Sequence, residues 1–333
     1  MEVAMKLARQ YYLEFQTPQP QRIRFIARKQ SFHGTTLGSL SMSGHIPRRE
    51  LFEPLLLQNI SRVSPCYAYR RKLAGESDIE YVARLADELD NEFQRVGPDN
   101  VCAFVAEPVV GAALGCVPAV PGYFKAMKAI CDKYGALLIL DEVMSGMGRV
   151  ETLHAWEQEG VIPDIQTIGK GLGGGYAPVS DLLINERVVA IMDKGTGAFR
   201  HGQTYQGHPM SCAAALAVQK IIKEQNLLEK VRKMGSLLES LLKRVSIEFV
   251  EDKSTSEPFD LKRGIAVKIQ NTAMTPKYSF SLYAGNGTVD GVRGDHVLLA
   301  PAYNSTEADI KIIADLTINV IKDVFAAVKD GGS

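Results

Sequence analysis

Three short apolar runs, Val101-Cys-Ala-Phe-Val-Ala106, Ala136-Leu-Leu-Ile-Leu140 and Ile165-Gln-Thr-Ile168, limit the folds open to this chain. Apolar runs of this length read as strands buried on both faces, and helical patterns are predicted at about 77–95 and at 122–134, after Pro121-Gly122. Strands separated by helices form a parallel sheet covered by helices on either side. Around them, Val3, Leu7, Tyr11 and Phe15 recur at four-residue steps on one helical face, and Arg22–Arg28 alternates like a strand. A strand at Val179–Ile184 and helices near 186–193, 209–223 and 226–244 follow. Beyond about residue 245 the texture changes to short strands, Ile247–Val250, Tyr278–Leu282 and His296–Leu299, closed by a helix Thr306–Lys329. The expected fold is α/β, a mostly parallel sheet sandwiched by helices in residues 1–225, with a smaller α+β domain in 226–333.

Composition narrows the function classes. The 38 Lys and Arg balance 38 Asp and Glu, so charge gives no argument for nucleic acid or an anionic membrane as partner. Cys66, Cys102, Cys116, Cys131 and Cys212 are scattered with no C-x-x-C pair, which reads as reduced intracellular thiols without a disulfide framework or a metal site. No apolar run reaches the length of a membrane span, and the start is no signal peptide. A cytoplasmic location is expected, or a mitochondrial one if a targeting segment has been lost.

In an open parallel sheet, ligands bind beyond the carboxyl ends of the strands. Three chemically loaded segments fall there: Glu107-Pro108, Asp141-Glu-Val143 and Gly169-Lys170-Gly171. A lysine amine can form a Schiff base with an aldehyde cofactor, and a strand-end carboxylate can hold a pyridine nitrogen protonated. The flanking glycines would let the backbone pack close to a cofactor ring. Taken singly, Asp141 reads equally as a helix cap or surface carboxylate and Lys170 as a solvated side chain. Gly169-Lys-Gly-Leu-Gly-Gly174 also fits the G-x-G-x-x-G spacing of a dinucleotide turn, but a strand-like run follows it where that fingerprint opens a helix.

Six ordered motifs carry a resemblance: Ser31-Phe-His-Gly-Thr-Thr-Leu-Gly38, Ala106-Glu-Pro-Val109, Leu140-Asp-Glu-Val143, Thr167-Ile-Gly-Lys-Gly171, His201-Gly-Gln-Thr-Tyr-Gln-Gly-His-Pro209 and Gly294-Asp-His-Val-Leu-Leu-Ala-Pro301. In order and spacing the chain resembles the class III (ω-amino acid) aminotransferases of fold type I, which use pyridoxal 5'-phosphate (PLP). The resemblance implies that Lys170 binds the cofactor and moves the substrate proton, and that Asp141 pairs with the pyridinium nitrogen. Phe32 would stack on one ring face and Val143 on the other, with His33 and Gly34 shaping the turn. Glu107 would lie near the substrate amine and ring hydroxyl, and Thr204 would bind the cofactor phosphate of the partner subunit in a homodimer. Without the resemblance, Phe32 and Val143 read as core residues, His33 as a buried histidine bonded to backbone, and Thr204 as a helix cap.

Several features depart from the family pattern. The chain begins at a helix that in similar enzymes follows a phosphate-binding Gly-Ser-Glu-Ala turn, and a Gly-Asp-x-Arg-Gly-Arg-Gly stretch has no counterpart before Ile247–Val250. Glu307 stands where several ω-transaminases have an arginine that receives substrate carboxylates. The expected function is PLP-dependent transfer of an amino group between an amine or ω-amino acid donor and a keto-acid acceptor. The alternative is a truncated, catalytically impaired homologue serving as a weak cofactor binder or subunit partner.

Overall fold

The computed structural model describes residues 1–243 and 248–329. The apolar runs assemble into a six-stranded sheet made of β1 (Arg24–Arg28), β2 (Ile60–Val63), β3 (Val101–Ala106), β4 (Leu137–Asp141), β5 (Ile165–Ile168) and β6 (Asp181–Ile184). Its order is β2-β1-β3-β4-β5-β6. The first five strands are parallel, with Phe104 opposite Leu138 and Asp141 opposite Thr167. β6 pairs antiparallel with β5, so the sheet is mostly parallel, as expected. The connection between them has only a single 3-10 turn at Lys170–Leu172, and a parallel return needs a longer crossover.

Strand periodicity divides the core in two. Ile26, Phe104, Leu138 and Leu140 face one side, where they meet Tyr81, Leu85, Leu89 and Phe93 of the helix Asp78–Val96 and Phe124, Met127 and Cys131 of Tyr123–Lys133. Phe25, Val105, Leu137, Ile139 and Ile165 face the other, against Ala4, Leu7, Ala8 and Tyr11 of Glu2–Tyr11 and Val188 and Met192 of Glu186–Lys194. Each buried Leu, Ile, Val, Phe or Met among them contributes about 1.5–3 kcal/mol relative to exposure, so the alternation fixes the strand register. Helix boundaries have local causes too. Ser77 Oγ accepts from the Glu80 amide at 3.2 Å while the Glu80 carboxylate accepts from the Ser77 amide at 2.8 Å, a reciprocal cap that starts Asp78–Val96.

A second, antiparallel sheet has the order β8-β7-β10-β9, from β7 (Glu248–Asp252), β8 (Glu257–Pro258), β9 (Tyr283–Asn286) and β10 (Asp295–Leu298). Phe249, Leu282 and Val297 pack there with Ile265 and Ile269 of the helix Ile265–Ala273 and Val320 and Val324 of Glu307–Lys329. The expected strand Tyr278–Leu282 does not form. A turn closed by the Tyr278 amide on the Thr275 carbonyl at 3.1 Å, followed by Ser279 at φ +46°, delays pairing until Tyr283. Ile247 of the expected strand Ile247–Val250 lies outside the described residues, as does the start of that departure from the family pattern. β2 and the helix Ile265–Ala273 are additions to the sequence reading. No helix of the described residues is long and apolar enough to cross a membrane, and their five cysteines are unpaired.

Candidate active site

The carboxyl ends of β1, β3, β4 and β5 deliver Phe32 and His33, Glu107, Asp141 and Lys170 to one rim of the large sheet. Asp141 is buried, and both carboxylate oxygens are engaged. His33 Nδ1 lies 2.8 Å from Oδ2, while the Thr167 hydroxyl donates to Oδ1 at 3.0 Å and the Val143 amide at 3.2 Å. Burial, the largest influence, opposes ionisation, yet the hydrogen bond and charge of His33, then the Met1 amino group and the Val143 amide, hold the carboxyl below its ordinary range. Asp141 is therefore an anion at neutral pH, neither the helix cap nor the surface carboxylate that a lone strand-end Asp suggests.

His33 is buried, as one sequence reading has it, but its ring does not bond to backbone. Its ring bonds to the Asp141 side chain, and it is the His33 backbone amide that donates to Ser43 Oγ at 2.8 Å. The ring is buried, and Nε2 has no partner among the described residues. The loop returns on itself, with the Gly44 amide donating to the Ser31 carbonyl at 2.9 Å.

Glu107 is buried beside them. Its carboxylate accepts from the Phe32 amide at 3.0 Å and the Gly111 amide at 3.2 Å, and the fully buried Arg28 guanidinium donates to its backbone carbonyl. Burial pushes its carboxyl up and the Asp141 charge adds to this, against the opposing charges of His33 and Arg28. Two buried carboxyls on one rim are thus tuned apart, Asp141 toward the anion and Glu107 toward the protonated acid.

Lys170 is exposed and adopts φ +41°, a left-handed conformation that costs a residue with a Cβ about 1–3 kcal/mol. The glycines beside it differ in their surroundings. Gly169 is extended, and a Cβ there would make ordinary contact with Val143 at 3.5 Å. A Cβ on Gly171 would press on the Tyr303 hydroxyl at 3.1 Å and Met147 Cβ at 3.2 Å, so protein occupies that space. Val143 is half-buried between Asp141 and Gly169. Val143 and Thr167 also line a cavity of about 440 Å³ with Met1, Ser180, Gln203 and Gln206, at the amino end of the helix Glu2–Tyr11.

Thr204 stands apart. It is exposed, in the turn before Pro209–Glu224, and no hydrogen bond ties it to the Lys170 and Asp141 group among the described residues. It is not the cap of that helix, whose N-cap is His208. Sequence reasoning missed Thr167, Ser43 and Arg28. Thr167 lies inside a quoted motif, but its contact follows from lying opposite Asp141 in the paired strands, which requires the register.

The family model for class III aminotransferases matches residues 1–253. The chain is 56% identical over 331 residues to an aminotransferase of Gibberella zeae, covering 94% of this chain and 65% of that one. It is 44% identical to an uncharacterized aminotransferase of Schizosaccharomyces pombe, covering 98% of this chain and 74% of the other. A thermostable (S)-enantioselective omega-transaminase from Thermomicrobium roseum superposes with a TM-score of 0.86 at 31% identity, covering 97% of this chain and 72% of that structure. The chain thus spans just under two thirds of the length of the Gibberella relative and about three quarters of the other two. With the family model matched over most of its length and its fold shared, the chain belongs to the class III aminotransferases, a PLP-dependent family.

Proposed function

We propose that the chain holds PLP at Lys170 and transfers an amino group between an amine or ω-amino acid and a keto acid. The observation that carries this reading is Asp141, a buried carboxylate kept anionic by His33 on the same rim as an exposed, conformationally strained lysine. The residues present fit the cofactor. An anionic carboxylate suits a protonated ring nitrogen, and Phe32 and Val143 would bracket the ring. A cavity at the amino end of a helix suits a phosphate. When bound, PLP supplies an electrophilic carbon for amines and a ring that accepts electrons from the substrate carbon.

The chain's own groups would do the rest. Lys170 Nζ would hold the cofactor and would take a proton from, and return it to, the substrate as base and then acid. Asp141 stays ionised throughout. Glu107, fixed by the Phe32 and Gly111 amides, would sit by the substrate amine. Thr204 would reach the phosphate held by a second copy, which makes the working unit a homodimer. The division at about residue 225 into a cofactor-binding unit and a smaller C-terminal unit belongs to the same proposal.

The test is the absorbance of the purified chain after PLP is added and free cofactor removed, with Lys170→Ala beside it, followed by an amine-donor screen. A visible band in the parent that is absent from Lys170→Ala, with amino transfer to a keto acid, is the expected result. Equal spectra for the two chains would overturn the assignment of Lys170, and a retained band without transfer to any keto acid would overturn transamination.

A further inference from the structure

Phe32, the residue proposed to stack on the cofactor ring, is itself stacked. The Arg48 guanidinium carbon lies 4.2 Å from the centroid of the Phe32 ring, well inside the distance of about 6 Å over which a cation is attracted to a ring face. The same guanidinium donates to the Tyr283 hydroxyl, on the first residue of β9 in the second sheet. No carboxylate of the described residues pairs with Arg48, whereas its neighbour Arg49 pairs with Glu53 at 2.9 Å and donates to the Ser43 carbonyl at 2.6 Å. His45, one turn earlier, is buried and pushed down to about 4, by burial first and by the Arg48 charge second, so it is neutral at pH 7. Arg48 is thus held by a ring and a phenol.

The loop that carries Phe32 is fastened to the second sheet at another point. Gln30 Nε2 donates to the Gly287 carbonyl at 2.7 Å and the Thr288 carbonyl at 3.0 Å, directly beyond β9. Arg71 supports this contact, donating to Gln30 Oε1 at 3.3 Å and the Val289 carbonyl at 3.1 Å. Gln30 fixes the base of the loop, and Arg48 fixes the aromatic ring. Both contacts end on the β9–β10 hairpin.

We infer that Arg48 is a positioning residue for the proposed reaction: gripping one face of Phe32 and anchored on Tyr283, it leaves the other face free for PLP and couples cofactor stacking to the second sheet. The inference rests on the reading in which Phe32 stacks on the cofactor. A half-buried phenyl ring without such a grip must lose rotamer freedom when it stacks, and a ring already held loses less. Arginine suits the task because its planar fork can lie over one ring and still donate to a hydroxyl, which a lysine ammonium does less well.

The test is PLP titration of the parent, Arg48→Met, Arg48→Lys, Tyr283→Phe, Phe32→Leu and the double variant Arg48→Met/Phe32→Leu. It is followed by the visible circular dichroism of the bound cofactor, which reports ring orientation, with urea midpoints taken alongside. Arg48→Met should weaken PLP binding by about three- to tenfold and reduce the dichroic band, Arg48→Lys should recover part of both, and Tyr283→Phe should give a smaller loss. In the Phe32→Leu background the Arg48→Met change should add nothing. An undiminished effect in that background overturns the inference, because Arg48 then acts on something other than Phe32. Tighter PLP binding by Arg48→Met also overturns it, since the guanidinium would then cover the face that the cofactor needs. Failure of the parent to retain PLP overturns the functional reading and this inference together, whereas retained PLP that is indifferent to Arg48 overturns this inference alone.

Discussion

Asp141 and Glu107 are close enough to feel each other's charge, yet their surroundings push them in opposite directions. The difference lies in their partners: Asp141 has the His33 ring, the Thr167 hydroxyl and the Val143 amide, while Glu107 has two backbone amides. We expect His33→Phe to cost about 2 kcal/mol near neutrality by removing the hydrogen-bonding partner of a buried carboxylate. The sign of its pH dependence follows from the lowered pKa. A carboxyl held below its ordinary 3.8 contributes stability above that value and loses it as pH falls through the lower folded-state value. The gap in urea midpoint between parent and variant should therefore be full at pH 6 and narrow below pH 3.8; a gap unchanged down to pH 3 would sink the idea that His33 acts through the Asp141 charge. Lys170 and Asp141 were legible in sequence because each ends an apolar run. The pair His33 and Asp141 was not, since it spans 108 positions and depends on the loop from Ser31 to Gly44 folding back.

Among the elements, the loop after β4 depends on Glu142, which no motif marks as structural. Its carboxylate accepts from the Ala155 amide at 2.7 Å and the Trp156 amide at 2.9 Å, and burial pushes it up to about 7 in spite of them. An acid with a raised pKa binds more protons folded than unfolded between its unfolded value of 4.5 and 7, so its contribution to stability falls as pH rises through that window. Glu142 should account for about 3 kcal/mol of the parent's fall, so the fall should be shallower by about that much in Glu142→Gln, read from urea midpoints between pH 4 and 8. An equally steep fall in the variant would show that another group is responsible. In the second sheet, Gly285 lies opposite His296 across β9 and β10, and a Cβ there would fall 2.2 Å from His296 Nε2. A Cβ on Gly115 would likewise fall 3.0 Å from the same ring, so side chains larger than glycine are disfavoured on both sides of it. We expect Gly285→Ala to cost about 1–3 kcal/mol, and less when His296→Ala is also present, measured by chemical denaturation of the four chains. Equal costs in both backgrounds would mean that the clash is not with the imidazole. Strands buried on both faces were readable as unbroken apolar runs. β6 was readable as a strand but not in its direction, because its antiparallel pairing follows from the lack of a crossover helix between Ile168 and Asp181.

For the whole molecule, the change of texture near residue 245 foretold a second sheet, but sequence alone does not show how copies of the chain meet. The region of Thr204 offers a physical reason for them to do so. Tyr205 is 76% exposed and Met210 72%, with Leu216 and Ile221 also exposed along the alanine-rich helix Pro209–Glu224, so apolar side chains face outward beside the residue proposed to serve a second copy. Where such side chains gather into one patch, exposed apolar surface marks an interaction site. If Thr204 completes its partner's site, Lys170→Ala and Thr204→Val chains should each be impaired in the amino transfer proposed above, yet rescue each other. In a mixed dimer the Lys170 of the Thr204→Val chain would work with the Thr204 of the Lys170→Ala chain. Random pairing of equal amounts makes half of the dimers mixed, each with one complete site, so co-refolding should restore roughly a quarter of parental activity. Activity no greater than the sum of the two separate variants would place Thr204 within its own chain's site or outside the mechanism. Recovery toward a quarter would require one copy to supply a residue that the other lacks.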